Sequence, residues 1–220
     1  MKANRDIPSP IDFHDPRQVD AWIDETAWRR PWRAEFFAAF VAAIGRVHDS
    51  PVRVLELGSG PGHLAEQILS WCAVASYTLL DFSVYMHERA RARLTPYVDR
   101  ACFVLRDFRS PDWVRDLGPF EFVVTMQAVH ETRNKRRAPA LLQQARGLLA
   151  AGGALLYCDH YFDATSRTGN RHLYMTPDEQ RRTLAASGFD RIALVLDRGG
   201  MALYSARASA ARARHEGDTA

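Results

Sequence analysis

Short apolar runs alternate along this chain with stretches of helical periodicity. Val52, Val54, Leu55 and Leu57 form the first run, dense enough for a strand buried on both faces. Further runs occupy Ser76–Asp81, Cys102–Phe108, Phe120–Glu131 (a strand with its exit) and Ala154–His160. Between them, apolar residues recur three and four apart, which predicts helices. One opens at His63, and Ser83 can cap a second that runs to about Leu94. A third over Ala138–Ala150 carries Leu141, Leu142, Ala145, Leu148 and Leu149, with Gly152 and Gly153 expected to close it. Thr176, Pro177 and Glu179 are the N-cap, first-turn and capping-box residues of a fourth helix, which stops at Gly188. Phe189–Leu196 and Met201–Ala206 flank a turn and predict a terminal hairpin. Ahead of the first run, Val19, Trp22 and Ile23 mark a short helix over Arg17–Trp28. Pro31 breaks it, and Phe36, Phe37, Phe40, Val41 and Ile44 mark another over Trp32–Val47. Arg133–Arg137 reads as a basic solvated loop and Tyr161–Leu173 as a polar loop over a pocket. This alternation predicts an α/β fold with helices on both faces of a doubly wound sheet.

The first run changes the picture most. It ends Leu-Gly-Ser-Gly-Pro-Gly, then a helix begins. Strand, glycine turn and helix N-terminus make the place where an α/β sheet holds a nucleoside-bearing ligand. A dinucleotide fingerprint spaces its glycines G-x-G-x-x-G. Here Gly58, Gly60 and Gly62 alternate, and His63 stands where the third glycine would be. That spacing disfavours an NAD(P)-dependent oxidoreductase, which stays as an alternative. Acids follow at successive strand ends. Glu56 precedes the first glycine by two, and Asp81 lies 19 residues past Gly62, where a carboxylate can accept from ribose hydroxyls. Asp107 ends the third run, beside Phe108.

These segments resemble the class I S-adenosylmethionine (SAM) dependent methyltransferases over about Val52–Tyr204. The glycine loop looks like that family's first motif, and Asp81-Phe82-Ser83-Val84-Tyr85-Met86 like its second. The resemblance implies a Rossmann-like seven-stranded sheet with the last strand antiparallel, helices on both faces and an N-terminal helical cap. It implies a cofactor loop of Gly58, Ser59, Gly60 and Gly62, with Glu56 holding the amino group. Asp81, with Phe82 and Met86, would grip the nucleoside. Asp107 would accept from the adenine amine, Phe108 would touch the ring, and Met126 and Gln127 would follow at the fourth strand's exit. His130-Glu131 falls about where O-methyltransferases of the plant phenol type carry a His-Asp pair with a basic His. A hydroxyl acceptor needs such a base. His160 and Tyr161 are the second candidates for base or positioning group. Trp28, Trp32, His130 and Tyr161 are expected to shape the acceptor pocket. The boundaries that follow are an extended lead at 1–16, the helical cap at 17–50, the SAM-binding domain at 51–206 and a disordered tail at 207–220.

Bulk properties narrow the partners. The formal charge of +3 and 25% charged residues are those of an ordinary globular protein, and nothing calls for nucleic acid. Cys72, Cys102 and Cys158 are scattered, without zinc spacing, so no metal is expected and a reduced cytoplasmic setting is. There is no signal peptide pattern and no membrane-length apolar run. The reading is a SAM-dependent methyltransferase for a small organic acceptor, monomeric or homodimeric, with O-methylation favoured. A nucleic-acid methyltransferase and a non-catalytic SAM-binding protein are the other readings.

Overall fold

The computed structural model describes residues 6–45, 50–163 and 169–208, apart from the side chains of Ala27 and Trp28. Its helices are α1 (Pro16–Arg29), α2 (Arg33–Gly45), α3 (His63–Trp71), α4 (Val84–Arg93), α5 (Ala138–Gly147) and α6 (Pro177–Ala186). Its strands are β1 (Val52–Leu57), β2 (Val74–Asp81), β3 (Ala101–Leu105), β4 (Phe120–Met126), β5 (Leu149–His160), β6 (Arg191–Arg198) and β7 (Met201–Arg207). They form one seven-stranded sheet in the order β3-β2-β1-β4-β5-β7-β6. The first five pair in parallel, and β7 runs antiparallel to both β5 and β6. This is the expected Rossmann-like architecture. Strand order reverses between β1 and β4, and a ligand crevice opens at the carboxyl ends on either side of such a point.

Two apolar layers hold the sheet. On one face Phe36, Phe40 and Ile44 of α2 join Leu64 and Ile68 of α3 against Val54, Tyr77 and Val124. On the other, Leu141 and Leu142 of α5 and Leu184 of α6 meet Leu55, Val123 and Leu155. Burying each of these large side chains stabilises the fold by roughly 1.5–3 kcal/mol relative to exposure. The sequence pattern supplies the ends as well. Ser83 Oγ accepts from Met86 N–H at 3.2 Å, and Thr176 with Glu179 forms the capping box of α6.

Several features differ from the sequence reading. The third strand ends at Leu105, so Asp107 and Phe108 stand in the following loop. Helix α5 ends at Gly147, and the chain enters β5 two residues later. Leu148 and Leu149, expected on the helix, carry it into the sheet, where Leu149 pairs with Phe120. Gly152 and Gly153 therefore close no helix. They sit in β5 beside a register shift, where a Cβ on Gly153 would come within 3.0 Å of the Glu121 carbonyl. Arg133 is no solvated loop residue. It is 5% exposed, at φ 62°, and its guanidinium is fully engaged.

Candidate active site

The β1–α3 turn makes the floor of the site. Gly58, Gly60 and Gly62 all have positive φ, the left-handed region that a side chain resists. Gly58 also needs the space, because an added Cβ would lie 2.4 Å from that of Ala128. At Gly60 a Cβ would meet nothing within 4 Å, since this backbone faces an open cavity. Asp81, at the end of β2, bonds back to that floor. Its carboxylate accepts from Gly60 N–H at 2.8 Å and from Ser83 N–H at 2.9 Å. Burial raises its pKa and the backbone donors counter this only in part.

The cavity above the floor has a volume of about 520 Å³, the size of a small-molecule site. Gly58, Gly60, Asp81, Phe82, Met86 and Phe108 line one side of it, along the ends of β1–β3. Gln127, His130 and Glu131 line the other side, beyond β4. Of the residues expected at the site, these are the ones the fold brings together.

The others are placed elsewhere, for identifiable reasons. Glu56 lies inside the sheet, 2% exposed, where Tyr77 Oη donates to it at 2.8 Å. Burial pushes its pKa up to about 8, and it does not line the cavity. Ser59 is buried, its hydroxyl without a partner among the described residues. Gly62 lets α3 approach α4, where a Cβ would come 3.1 Å from that of Ala90. Asp107 turns away from the cavity, because Arg109 takes its carboxylate at 2.6 Å and its N–H donates to it as well. Met126 packs in the core with Val124. Trp32 does not reach the cavity either. It covers Gly199 in the hairpin turn, where an added Cβ would lie 2.5 Å from its ring. Tyr161 donates to Asp197 at 2.9 Å, away from the cavity. The side chain of Trp28 lies outside the described residues.

The two histidines differ in state. His130 is held by Asp159, which accepts from the ring Nδ1 at 2.7 Å and from the backbone N–H at 2.8 Å. Its Nε2 lies 3.3 Å from Glu131. Burial opposes a charge on this ring, but Asp159 and Glu131 together outweigh burial and raise its pKa to about 10. His130 is thus an imidazolium near pH 7, flanked by two carboxylates. His160 is the reverse case. Burial, helped by the charges of His130 and Arg30, pushes its pKa down to about 3. A neutral His160 accepts at Nε2 from the Gln127 amide, 2.8 Å away. It thereby fixes a residue held at φ 60° on the cavity wall. His160 itself does not reach that wall.

Several cavity residues escaped the sequence reading. Residues Ile7–Ile11 and Phe13 form an ordered strap along the rim. Arg133 pins the strap by donating from Nε to the Ile7 carbonyl at 2.7 Å and to the Pro8 carbonyl, while pairing with Glu131 at 3.0 Å. Ser83 Oγ anchors its far end by donating to the Phe13 carbonyl at 2.6 Å. Arg30 and Tyr174 complete the second side, and Asp159 lies buried behind His130. Nothing in a proline-containing lead marks it as a lid. The Asp159-His160 pair was visible in sequence, but only tertiary structure shows that Asp159 serves His130.

A family model described as a methyltransferase domain matches residues 28–217. No curated protein sequence matches. Many solved structures do. An O-methyltransferase family protein from Burkholderia thailandensis superposes with a TM-score of 0.73 at 18% identity, over 90% of this chain. The chain spans 61% of that protein's length. The DhpI–SAH complex matches with a TM-score of 0.66 at 19% identity, over 88% of this chain and 92% of that one. Human N-acetylserotonin methyltransferase, solved with SAM, gives 0.65 at 16% identity, over 89% and 57%. At these identities the likeness is one of fold.

Proposed function

This chain belongs to the methyltransferase-domain family, and from that premise we propose that it transfers the methyl group of SAM to a small organic acceptor. The observation that supports this most is the floor of the cavity. Gly60 presents bare backbone to open space, and the Asp81 carboxylate lies beside it between the apolar side chains of Phe82, Met86 and Phe108. A nucleoside fits that set. The acid suits a ribose and the flanking rings and thioether suit a base. The buried, unpartnered Ser59 hydroxyl leaves a polar atom close to the loop backbone for local adjustment.

Bound SAM supplies an electrophilic methyl on a sulfonium. The chain's own residues do the rest. The strap and α1, through Ile7, Pro8 and Trp22, cover the cavity and exclude water. Gln127, braced by His160, offers a fixed polar edge at the join between the two halves. Such fixed alignment is a large term in a displacement between two bound molecules. His130 carries a positive charge, so in the resting protein it does not accept a proton. Both of its ring nitrogens face carboxylates, so that charge is already compensated, and the ring's part is to hold Glu131 and Asp159 in place. Glu131, its pKa lowered by His130 and Arg133 against the burial that raises it, is the carboxylate on that side of the cavity that can take the proton of a hydroxyl acceptor. O-methylation is the favoured outcome on this reasoning.

The test is transfer of label from methyl-labelled SAM to a panel of small phenols, alcohols, amines and thiols. Label in an extractable organic product supports the reading. Tight SAM binding with no turnover across the panel favours the non-catalytic alternative.

A further inference from the structure

Arg30 stands at the C-cap of α1 and lines the cavity. Every other charged side chain on the cavity wall is already engaged. Asp81 accepts from the Gly60 and Ser83 amides. Glu131 is shared by Arg133 and His130, and Arg133 also holds the strap. His130 is paired with Asp159. The Arg30 side chain alone makes no hydrogen bond or ion pair among the described residues, although it is largely shielded from solvent. Burial lowers its pKa, and Tyr174, Asp159 and Glu25 favour its charge through space, none of them bonded to it. A guanidinium has five donors and stays charged, so shielding one without partners is costly unless a ligand supplies them.

Its position says which ligand. The nucleoside features lie at the ends of β1–β3. Arg30 acts electrostatically on His160 and senses Asp159, both at the end of β5. It also shares the cavity wall with Tyr174 and Asn170. That is the side left for the acceptor. Planar guanidinium groups pair with carboxylates through two parallel hydrogen bonds. We propose that the acceptor is an organic carboxylate whose carboxyl group is bound by Arg30, with its nucleophilic atom toward His130. This rests on the methyl-transfer reading for the identity of the second ligand.

The experiment uses matched probes, 4-hydroxybenzoate against 4-hydroxybenzamide and indole-3-acetate against indole-3-acetamide. Each is titrated calorimetrically into the full chain, with and without saturating S-adenosylhomocysteine. The expected result is that the acid of at least one pair binds about 10-fold more tightly than its amide. Arg30→Gln should erase that preference by weakening the acid far more than the amide, and Arg30→Lys should keep part of it. Thermal melts of both variants check that they fold. Equal binding of acid and amide, no binding of either acid, or a preference that survives Arg30→Gln would overturn the proposal. So would an Arg30→Gln variant that binds SAM weakly but decarboxylated SAM normally, because the guanidinium would then serve the cofactor. Failure of S-adenosylhomocysteine to bind the wild type would sink the methyl-transfer reading instead. The cofactor-free titrations would still report on Arg30.

Discussion

Replacing Asp159 by Asn tests the electrostatic core of the site with one uncharged, isosteric change. Asp159 is 2% exposed and gives both carboxylate oxygens to His130, one to the ring and one to the backbone amide. It also accepts from the His160 amide at 2.8 Å. The folded-state pKa of His130, about 10, exceeds that of an unfolded histidine, about 6.5. The charged form is therefore stabilised by folding. That contribution is fully present below about pH 6.5 and is lost as pH rises through about 10. Asp159 works in the other direction. Its pKa is lowered on balance, because the pull of His130 and its hydrogen bonds exceeds the burial that raises it. Its contribution is present above the ordinary carboxylate range and disappears as pH falls through its depressed value. The pair should thus stabilise most between about pH 4 and 6.5. At one pKa unit per about 1.4 kcal/mol the ceiling is near 4–5 kcal/mol, and breaking a buried pair typically costs about 3–5 kcal/mol. Urea unfolding of wild type and Asp159→Asn at pH 6, 8 and 10 measures this directly. The gap should be about 3 kcal/mol at pH 6 and narrow toward about 1 kcal/mol by pH 10. A gap that stays constant over that range, or a His130 ring that titrates below pH 7 by NMR, would refute the reasoning.

Gly58→Ala should abolish tight SAM binding and destabilise the fold by about 1–3 kcal/mol, from the positive φ and the 2.4 Å approach to Ala128, as read by calorimetry and thermal melting. Arg133→Ala removes the pin between the strap and Glu131, so limited proteolysis should cut within residues 6–14 many times faster than in wild type. His160→Phe should leave His130 charged but free the Gln127 amide, which would appear as a lower kcat with little change in SAM affinity. Tyr77→Phe strips Glu56 of its donor and should raise its pKa further above about 8, seen as a shifted carboxyl band in infrared titration.

Much of this was legible because the β1–α3 segment is locally specified. Alternating glycines, an apolar strand before them and a helix after them can make few other turns. Asp81 was legible for the same reason, since its place follows from strand length. The surroundings of Glu56 were not legible because they depend on Tyr77, a strand away, and burial there pushes its pKa up. The pairing of Asp107 with Arg109 in the same loop was not legible, because it depends on how that loop folds back on itself. Gly152 and Gly153 looked like a helix cap because Leu148 and Leu149 fit both a helix face and a strand. Only pairing with β4 decides between them. Trp32 had the composition of a pocket residue, and only the fold reveals the bare glycine turn it covers. The strap is the clearest gap, because the hydrogen bonds that pin it use its main-chain groups, which no side-chain pattern encodes.

The most direct test of the central claim is a calorimetric titration of SAM, S-adenosylhomocysteine and NADH into wild type and Asp81→Ala. The expected result is binding of both sulfur nucleosides by the wild type, lost or weakened more than tenfold in a folded Asp81→Ala, with no NADH binding. Absence of either sulfur nucleoside from the folded wild type, or NADH in its place, would contradict it.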